Sequence, residues 1–221
     1  MFRWCVLVFS AIATLNVSAA DNLTSLNDNG ILSWETKVFA GESIYTIGEH
    51  KGRIALKALS RQSASGLVLK KQIDLTKTPY LSWSWLVEKT LPQLDERSKN
   101  GDDFVARIYV VIDGGLRLWK TKSLNYVWSS NQDKGMVWNN PFAGAKVKMM
   151  AIRGKQSETG TWYQEKRNVY QDLIATFGDK GSEEANRKTY RYIDVIAIMT
   201  DTDNSGWDAE SYYGDLVFTA M

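Results

Sequence analysis

The run Tyr80-Leu81-Ser82-Trp83-Ser84-Trp85-Leu86-Val87 alternates polar and apolar residues, with Trp83, Trp85 and Val87 on one side. An α-helix would scatter these residues around its axis, whereas a strand places every second side chain on one face. The same period of two recurs along the chain. Leu32 to Phe39, Ser43 to Glu49, Arg53 to Leu59 and Gly66 to Ile73 are short runs parted by Ala40-Gly41-Glu42, His50-Lys51-Gly52 and Gln62-Ser63-Ala64-Ser65. Phe104 to Ile112 is apolar except for Arg107 and reads as a central strand. Further strands are expected at Ser123 to Trp128, Lys146 to Ile152, Thr161 to Lys166, Ile193 to Thr200 and Tyr212 to Phe218. Helical signals are confined to Asn168 to Phe177, stopped by Gly178, and Ser182 to Lys188, with Ser182 as N-cap. Many short strands with a turn every 8–12 residues predict a mainly β fold, a two-sheet antiparallel sandwich of jelly-roll, galactose-binding-like type. The polar stretch Glu88 to Asp102 is the one long loop, a length that often carries function.

The N-terminus reads as an export signal. Met1-Phe2-Arg3 supplies a positive charge, Trp4 to Leu15 an apolar run, and Val17 and Ala19 the small residues that flank a cleavage site. Cleavage is expected after Ala19 or Ala20, which leaves residues 20–221 as a single domain destined for the periplasm or the exterior. The apolar run falls short of the roughly 20 residues that cross a bilayer, and no later segment approaches that length. Cys5, the one cysteine, lies inside the leader. The mature chain therefore has no disulfide, thiolate ligand or cysteine nucleophile. About 200 residues suffice to hold a fold by packing, since a chain of this size buries about 70% of its unfolded surface.

Lys and Arg number 27 against 25 Asp and Glu, and loss of Arg3 with the leader lowers the net charge from +2 to +1. No basic block dominates, so a nucleic-acid partner has no electrostatic support. His50 is the single histidine, which excludes zinc sites built on two or three imidazoles. Its turn-like setting reads as a surface residue. No phosphate-binding glycine loop is present.

Carboxylates are what remains. Asp102-Asp103 stands where the long loop meets the apolar run at Phe104, with Arg107 four residues on. Adjacent carboxylates repel, so at least one needs solvent, a partner or a cation. On a continuous strand Asp103, Val105 and Arg107 would share a face. The second cluster, Asp201-Thr202-Asp203-Asn204-Ser205-Gly206, follows the apolar strand 195–199. Its alternating oxygens resemble the first half of a calcium loop, but Tyr212 stands where the closing Glu belongs. Asp201 and Asp203 are the metal-ligand candidates, with calcium as the candidate ion. A polar turn without an ion is the simpler reading of the same residues.

Eight tryptophans follow the leader, and most fall in strands, where a core position is the default. Trp119, Trp138 and Trp207 lie near predicted loops and are expected to be exposed. Flat aromatics beside Asp and Asn suit carbohydrate, because sugar rings stack on π faces and offer hydroxyls to carboxylates and amides.

Four motifs in order, closed by Tyr212-Tyr213-Gly214-Asp215-Leu216-Val217-Phe218, make the chain similar to a bacterial family, the "domain of unknown function 3047" proteins. They are Tyr80-Leu81-Ser82-Trp83-Ser84-Trp85, Asp102-Asp103-Phe104-Val105-Ala106-Arg107-Ile108-Tyr109-Val110-Val111, Leu124-Asn125-Tyr126-Val127-Trp128 and Ile198-Met199-Thr200-Asp201-Thr202-Asp203-Asn204. The resemblance implies a Gram-negative exported protein and carries no activity. The expected function is a binding or accessory domain for carbohydrate or cell-envelope glycan. Its expected site is Asp102, Asp103, Arg107, Asn125, Asp201, Asp203 and Asn204, with Trp128 or Trp207 as platform. A carboxylate-based glycan hydrolase or lyase, and a structural partner in an envelope complex, are the alternatives.

Overall fold

The computed structural model describes residues 20–116 and 120–221. The expected leader, with Cys5, and Trp119 lie outside the described residues.

Among the described residues, fourteen strands and two α-helices follow one another along the chain. The first strands are β1 (Asp21–Asn22), β2 (Glu35–Ala40), β3 (Ile44–His50), β4 (Arg53–Arg61), β5 (Ala64–Asp74) and β6 (Tyr80–Lys89). Then come β7 (Ala106–Ile112), β8 (Lys122–Trp128), β9 (Val137–Asn140), β10 (Gly144–Arg153) and β11 (Tyr163–Asn168). Helices α1 (Val169–Phe177) and α2 (Glu183–Tyr190) precede β12 (Tyr192–Asp201), β13 (Asp208–Tyr213) and β14 (Val217–Thr219).

The strands form two seven-stranded sheets packed as a sandwich. The first has the order β1-β14-β6-β13-β4-β3, with β11 on the other side of β6. The second runs β2-β5-β12-β7-β8-β10-β9. All pairings are antiparallel except β8 with β10, which is parallel. No described helix is long and apolar enough to cross a membrane.

The alternation in β6 sets the core. Leu81, Trp83, Trp85 and Val87 all point between the sheets and are fully buried. Trp83 stacks on Tyr126 of β8 at 5.4 Å, and Trp85 meets Trp128 edge-on at 5.9 Å. Leu86, on the opposite face of β6, packs with Ala55 and Tyr212 on the outside of the first sheet. Both helix starts follow their capping residues: Asn168 accepts from Gln171 N at 3.1 Å and Ser182 from Ala185 N at 3.2 Å.

Several element boundaries depart from the sequence reading. Gly30–Ser33 forms a 3-10 turn, so the first long strand starts at Glu35, not Leu32. Tyr212 to Phe218 is two strands rather than one. Gly214 N bonds to Ser84 O at 2.8 Å, and a Cβ there would lie 2.2 Å from Ser84 Oγ, so the chain bends tightly against β6 and a larger residue would have to displace the Ser84 hydroxyl. The apolar run at Phe104 enters the sheet only at Ala106. The long loop before it is docked: Glu96, fully buried, accepts from Ser129 Oγ at 2.5 Å and Ser130 N at 2.6 Å, and Trp138 Nε1 bonds to Glu96 O at 3.2 Å. Trp138 is accordingly buried, 6.3 Å from Phe104, and not the exposed ring its loop position predicted.

Candidate functional site

The outer face of the second sheet carries a cleft of about 370 Å³. Register explains what lies in it. Arg107 on β7 faces Met199 on β12, Tyr109 faces Asn125 on β8, and Asn125 faces Met149 on β10. In-between residues such as Ile108, Leu124 and Ile198 point into the core. Side chains of alternate parity therefore line one row across the central strands, and the row is polar where it crosses β7 and β12.

Arg107 is the one cation in this row. Its guanidinium lies between the rings of Phe104 and Tyr109, at 5.0 and 5.1 Å, and pairs with Asp201 through Nη2. Both partners are almost wholly buried, Asp201 at 1% exposure. The pair is held from the far sheet. Tyr213 OH crosses the core, accepts from Arg107 N at 3.0 Å and donates to Met199 O at 2.9 Å, while Thr200 Oγ1 bonds to Val105 O at 2.9 Å.

Two loops bring three further carboxylates around this pair. Asp102 lines the cleft and accepts from Asn140 Nδ2 at 2.7 Å. Asp103 turns to the loop after β12, where it accepts from Asn204 N at 3.2 Å, Asn204 Nδ2 at 3.1 Å and Ser205 N at 2.6 Å. Asp203 is exposed at the mouth. One carboxylate oxygen each from Asp103, Asp201 and Asp203 lies within 4.8 Å of the others. Gly206, at φ +72°, closes the loop with its N bonded to Thr202 O at 2.9 Å.

The field is dominated by burial and crowding. Burial pushes the Asp201 carboxyl up; Arg107 opposes this, and Asp103, Asp102 and Asp203 add to it. Burial also raises Asp102, against Arg107 and Asn140, and raises Asp203, whose second cause is Asp103. For Arg107 burial favours the neutral form, but Asp201, Tyr109, Asp102 and Asp103 outweigh it and hold the charge firmly. Three buried atoms in the cleft have no partner among the described residues: Asp102 Oδ1, Asp201 Oδ1 and Arg107 Nε.

Of the residues singled out by sequence, Asp102, Arg107, Asn125, Asp201, Asp203 and Asn204 line this cleft, and Asp103 braces its rim. Asp103 gets there by a different route from the one expected. It precedes β7 and shares no strand face with Arg107, while Val105 packs in the core. Trp128 is corrected outright as a platform: at 1% exposure it belongs to the core, between Trp85 and Tyr163. Trp207 is 50% exposed but does not line the cleft. His50 sits on the other sheet, stacked 3.6 Å from Tyr212, with Nε2 2.7 Å from Glu88.

The exposed rings at the cleft are Phe39, at the end of β2, and Phe142, in the β9–β10 turn, at 65% and 57% exposure. Lys99 Nζ lies 5.3 Å from the centre of the Phe142 ring. Sequence reasoning missed both rings, along with Asn140 and Met199. The available signal was position: Phe39 stands two residues before Gly41, and Phe142 follows Asn140-Pro141, whose Asn Oδ1 accepts from Phe142 N at 3.0 Å.

Residues 32–217 match the family described as "Protein of unknown function (DUF3047)". No curated protein matches the chain. Among solved structures, the glycoside hydrolase domain of Endo-D from Streptococcus pneumoniae R6 is similar over 85% of this chain, at 11% identity and a TM-score of 0.41. This chain covers only 22% of that one. A cellulase derived from Cel12A of Rhodothermus marinus gives 9% identity and a TM-score of 0.47, over 91% of this chain and 99% of that one. The CBM27-1 module of Caldicellulosiruptor saccharolyticus, in complex with mannohexaose, gives 12% and 0.38, over 92% and 97%. The chain belongs to the DUF3047 family.

Proposed function

For this DUF3047 protein, we propose an exported binding or accessory role in which the cleft on the second sheet takes carbohydrate or cell-envelope glycan. The observation that carries the reading is the pairing of unsatisfied buried polar atoms with exposed rings in one cavity. Among the described residues, Asp102 Oδ1 has no donor and Arg107 Nε no acceptor. Each unsatisfied buried group costs about 1–3 kcal/mol, which a ligand with both donors and acceptors recovers. Sugar hydroxyls are both. Asn125, Asn140 and Asn204 add amides at the same surface, and Phe39 and Phe142 offer apolar faces to the C–H side of a ring. The cleft's 370 Å³ falls in the size range of small-molecule sites, about 300–1,000 Å³. With the leader removed after Ala19 or Ala20, the domain works in the periplasm or outside the cell.

Affinity electrophoresis of the purified protein through a panel of neutral and acidic polysaccharides tests this. Retardation is expected for at least one glycan. Phe142→Ala removes an exposed ring and should weaken that binding about 2–10-fold, the equivalent of 0.5–1.5 kcal/mol of stacking. Asp102→Asn should weaken it further. Clean passage through every glycan, or variants that bind like the wild type, overturns the reading. Release of reducing ends from the bound glycan would make the protein a hydrolase instead.

A further inference from the structure

We propose that Asp103, Asp201 and Asp203 form a calcium site at the edge of the cleft. Two chain segments converge there: the end of the loop before β7, and the end of β12 with the loop that follows it. Each residue offers an oxygen, and the three oxygens lie within 4.8 Å of one another. Calcium bonds of 2.3–2.6 Å leave ligands of one ion at most about 4.6–5.2 Å apart, so three oxygens within 4.8 Å of one another can close on one ion with little movement. The donor set is all oxygen, and the lone histidine lies on the other sheet, which favours a hard cation over zinc.

A cluster of acids alone would not carry this. The second observation is Asp201 Oδ1. Asp201 is almost wholly buried and lines the cleft, its Oδ2 is taken by Arg107, and Oδ1 has no donor among the described residues. A buried carboxylate oxygen without a donor among the described residues, in a cluster with two further carboxylates, is an acceptor that a cation can satisfy. Charge points the same way. Arg107 is the one cation among the described residues that line the cleft, against Asp102, Asp201 and Asp203 there and Asp103 at its rim. Asp103 keeps one lone pair free, on Oδ2, after its three N–H donors, because each carboxylate oxygen accepts twice. Exposed Asp203 leaves a side open for the water ligands that calcium needs to reach six or more.

The test is calorimetric titration of the EDTA-stripped protein with calcium chloride, alongside thermal unfolding. One calcium per chain is expected, with Tm rising about 5–10 °C when calcium reaches a hundred times its Kd. Asp203→Asn, an exposed change that leaves packing intact, should weaken calcium at least tenfold. Magnesium should bind at least tenfold more weakly than calcium. No heat and no Tm shift up to about 10 mM calcium, beyond the weakest extracellular sites, overturns the assignment. So does an Asp203→Asn variant that titrates like the wild type. No carbohydrate is present in this experiment, so its failure leaves the glycan reading standing, and failure of the glycan panel leaves the calcium site standing.

Discussion

Replacing Arg107 with Met should cost more stability than replacing its partner Asp201 with Asn, and the order follows from the charges around them. The guanidinium and the Asp201 carboxylate are paired and almost fully buried. Removing one member of such a pair costs about 3–5 kcal/mol, because the other is left charged in a poor solvent. The two removals are unequal here. Without Arg107, Asp201 faces Asp102, Asp103 and Asp203 with nothing opposite. A like-charge pair at about 4 Å is worth about 4 kcal/mol at an effective dielectric of 20, before relaxation. Without the Asp201 charge, Arg107 still has Asp102 and Asp103 in its field and the rings of Phe104 and Tyr109 around it. Arg107→Met should therefore lose about 3–5 kcal/mol, or roughly 6–20 °C in Tm for a chain of this length. Asp201→Asn should lose about 1–3 kcal/mol, the cost of a broken buried hydrogen bond to a charged group. The double variant should be more stable than Arg107→Met alone. Urea unfolding in EDTA, followed by fluorescence of the buried cluster of Trp83, Trp85 and Trp128, measures all three. An Arg107→Met midpoint within 1 kcal/mol of wild type, or a greater loss in Asp201→Asn, would refute the electrostatic reasoning.

Three further outcomes are expected. The Arg191 guanidinium, against a smaller effect of burial and helped by Thr76, holds the Asp74 carboxyl down at about 2. Its folded value lies below its unfolded one, so the stability it contributes is present above about pH 4 and is lost as pH falls toward 2. Exposure of Arg191 limits that contribution to about 1 kcal/mol, and Asp74→Asn should remove it at pH 7 while leaving stability at pH 2 unchanged. Gly101→Ala would set a Cβ 2.3 Å from Asp95 O, so the loop that delivers Asp102 must shift; a loss of about 1–3 kcal/mol in urea and weaker glycan binding are expected together. Trp128→Ala should cost about 3–5 kcal/mol as a core cavity, yet leave the Kd of the folded fraction for glycan near wild type, which a platform residue would not do.

The sandwich was legible because alternation is a local signal. Trp83, Trp85 and Val87 share the face that their spacing assigns them, and Asn168, Gly178 and Ser182 bound the helices as expected. Pairing between distant strands is not local. Nothing in the sequence places Met199 opposite Arg107 or Tyr109 opposite Asn125, and those registers build the polar row of the cleft. The parallel match of β8 with β10 leaves no local trace either. Strand alternation misled at Asp103, because the chain is irregular through Val105 and the carboxylate turns to backbone N–H groups a hundred residues away. It also misled at Trp128, where chemistry suited to sugar was read onto a ring whose parity on β8 points inward with Leu124 and Tyr126. The two exposed rings at the cleft, Phe39 and Phe142, stand next to turns, where alternation stops.

The cleft claim is tested most directly by amide and methyl shift mapping of the labelled protein during titration with the glycan that binds best. Shifts should be confined to the second sheet's outer face: Asp102, Arg107, Asn125, Asn140, Asn204, and the edges at Phe39 and Phe142. Shifts centred instead on the outer face of the first sheet, around His50, Trp162 and Tyr212, would contradict it.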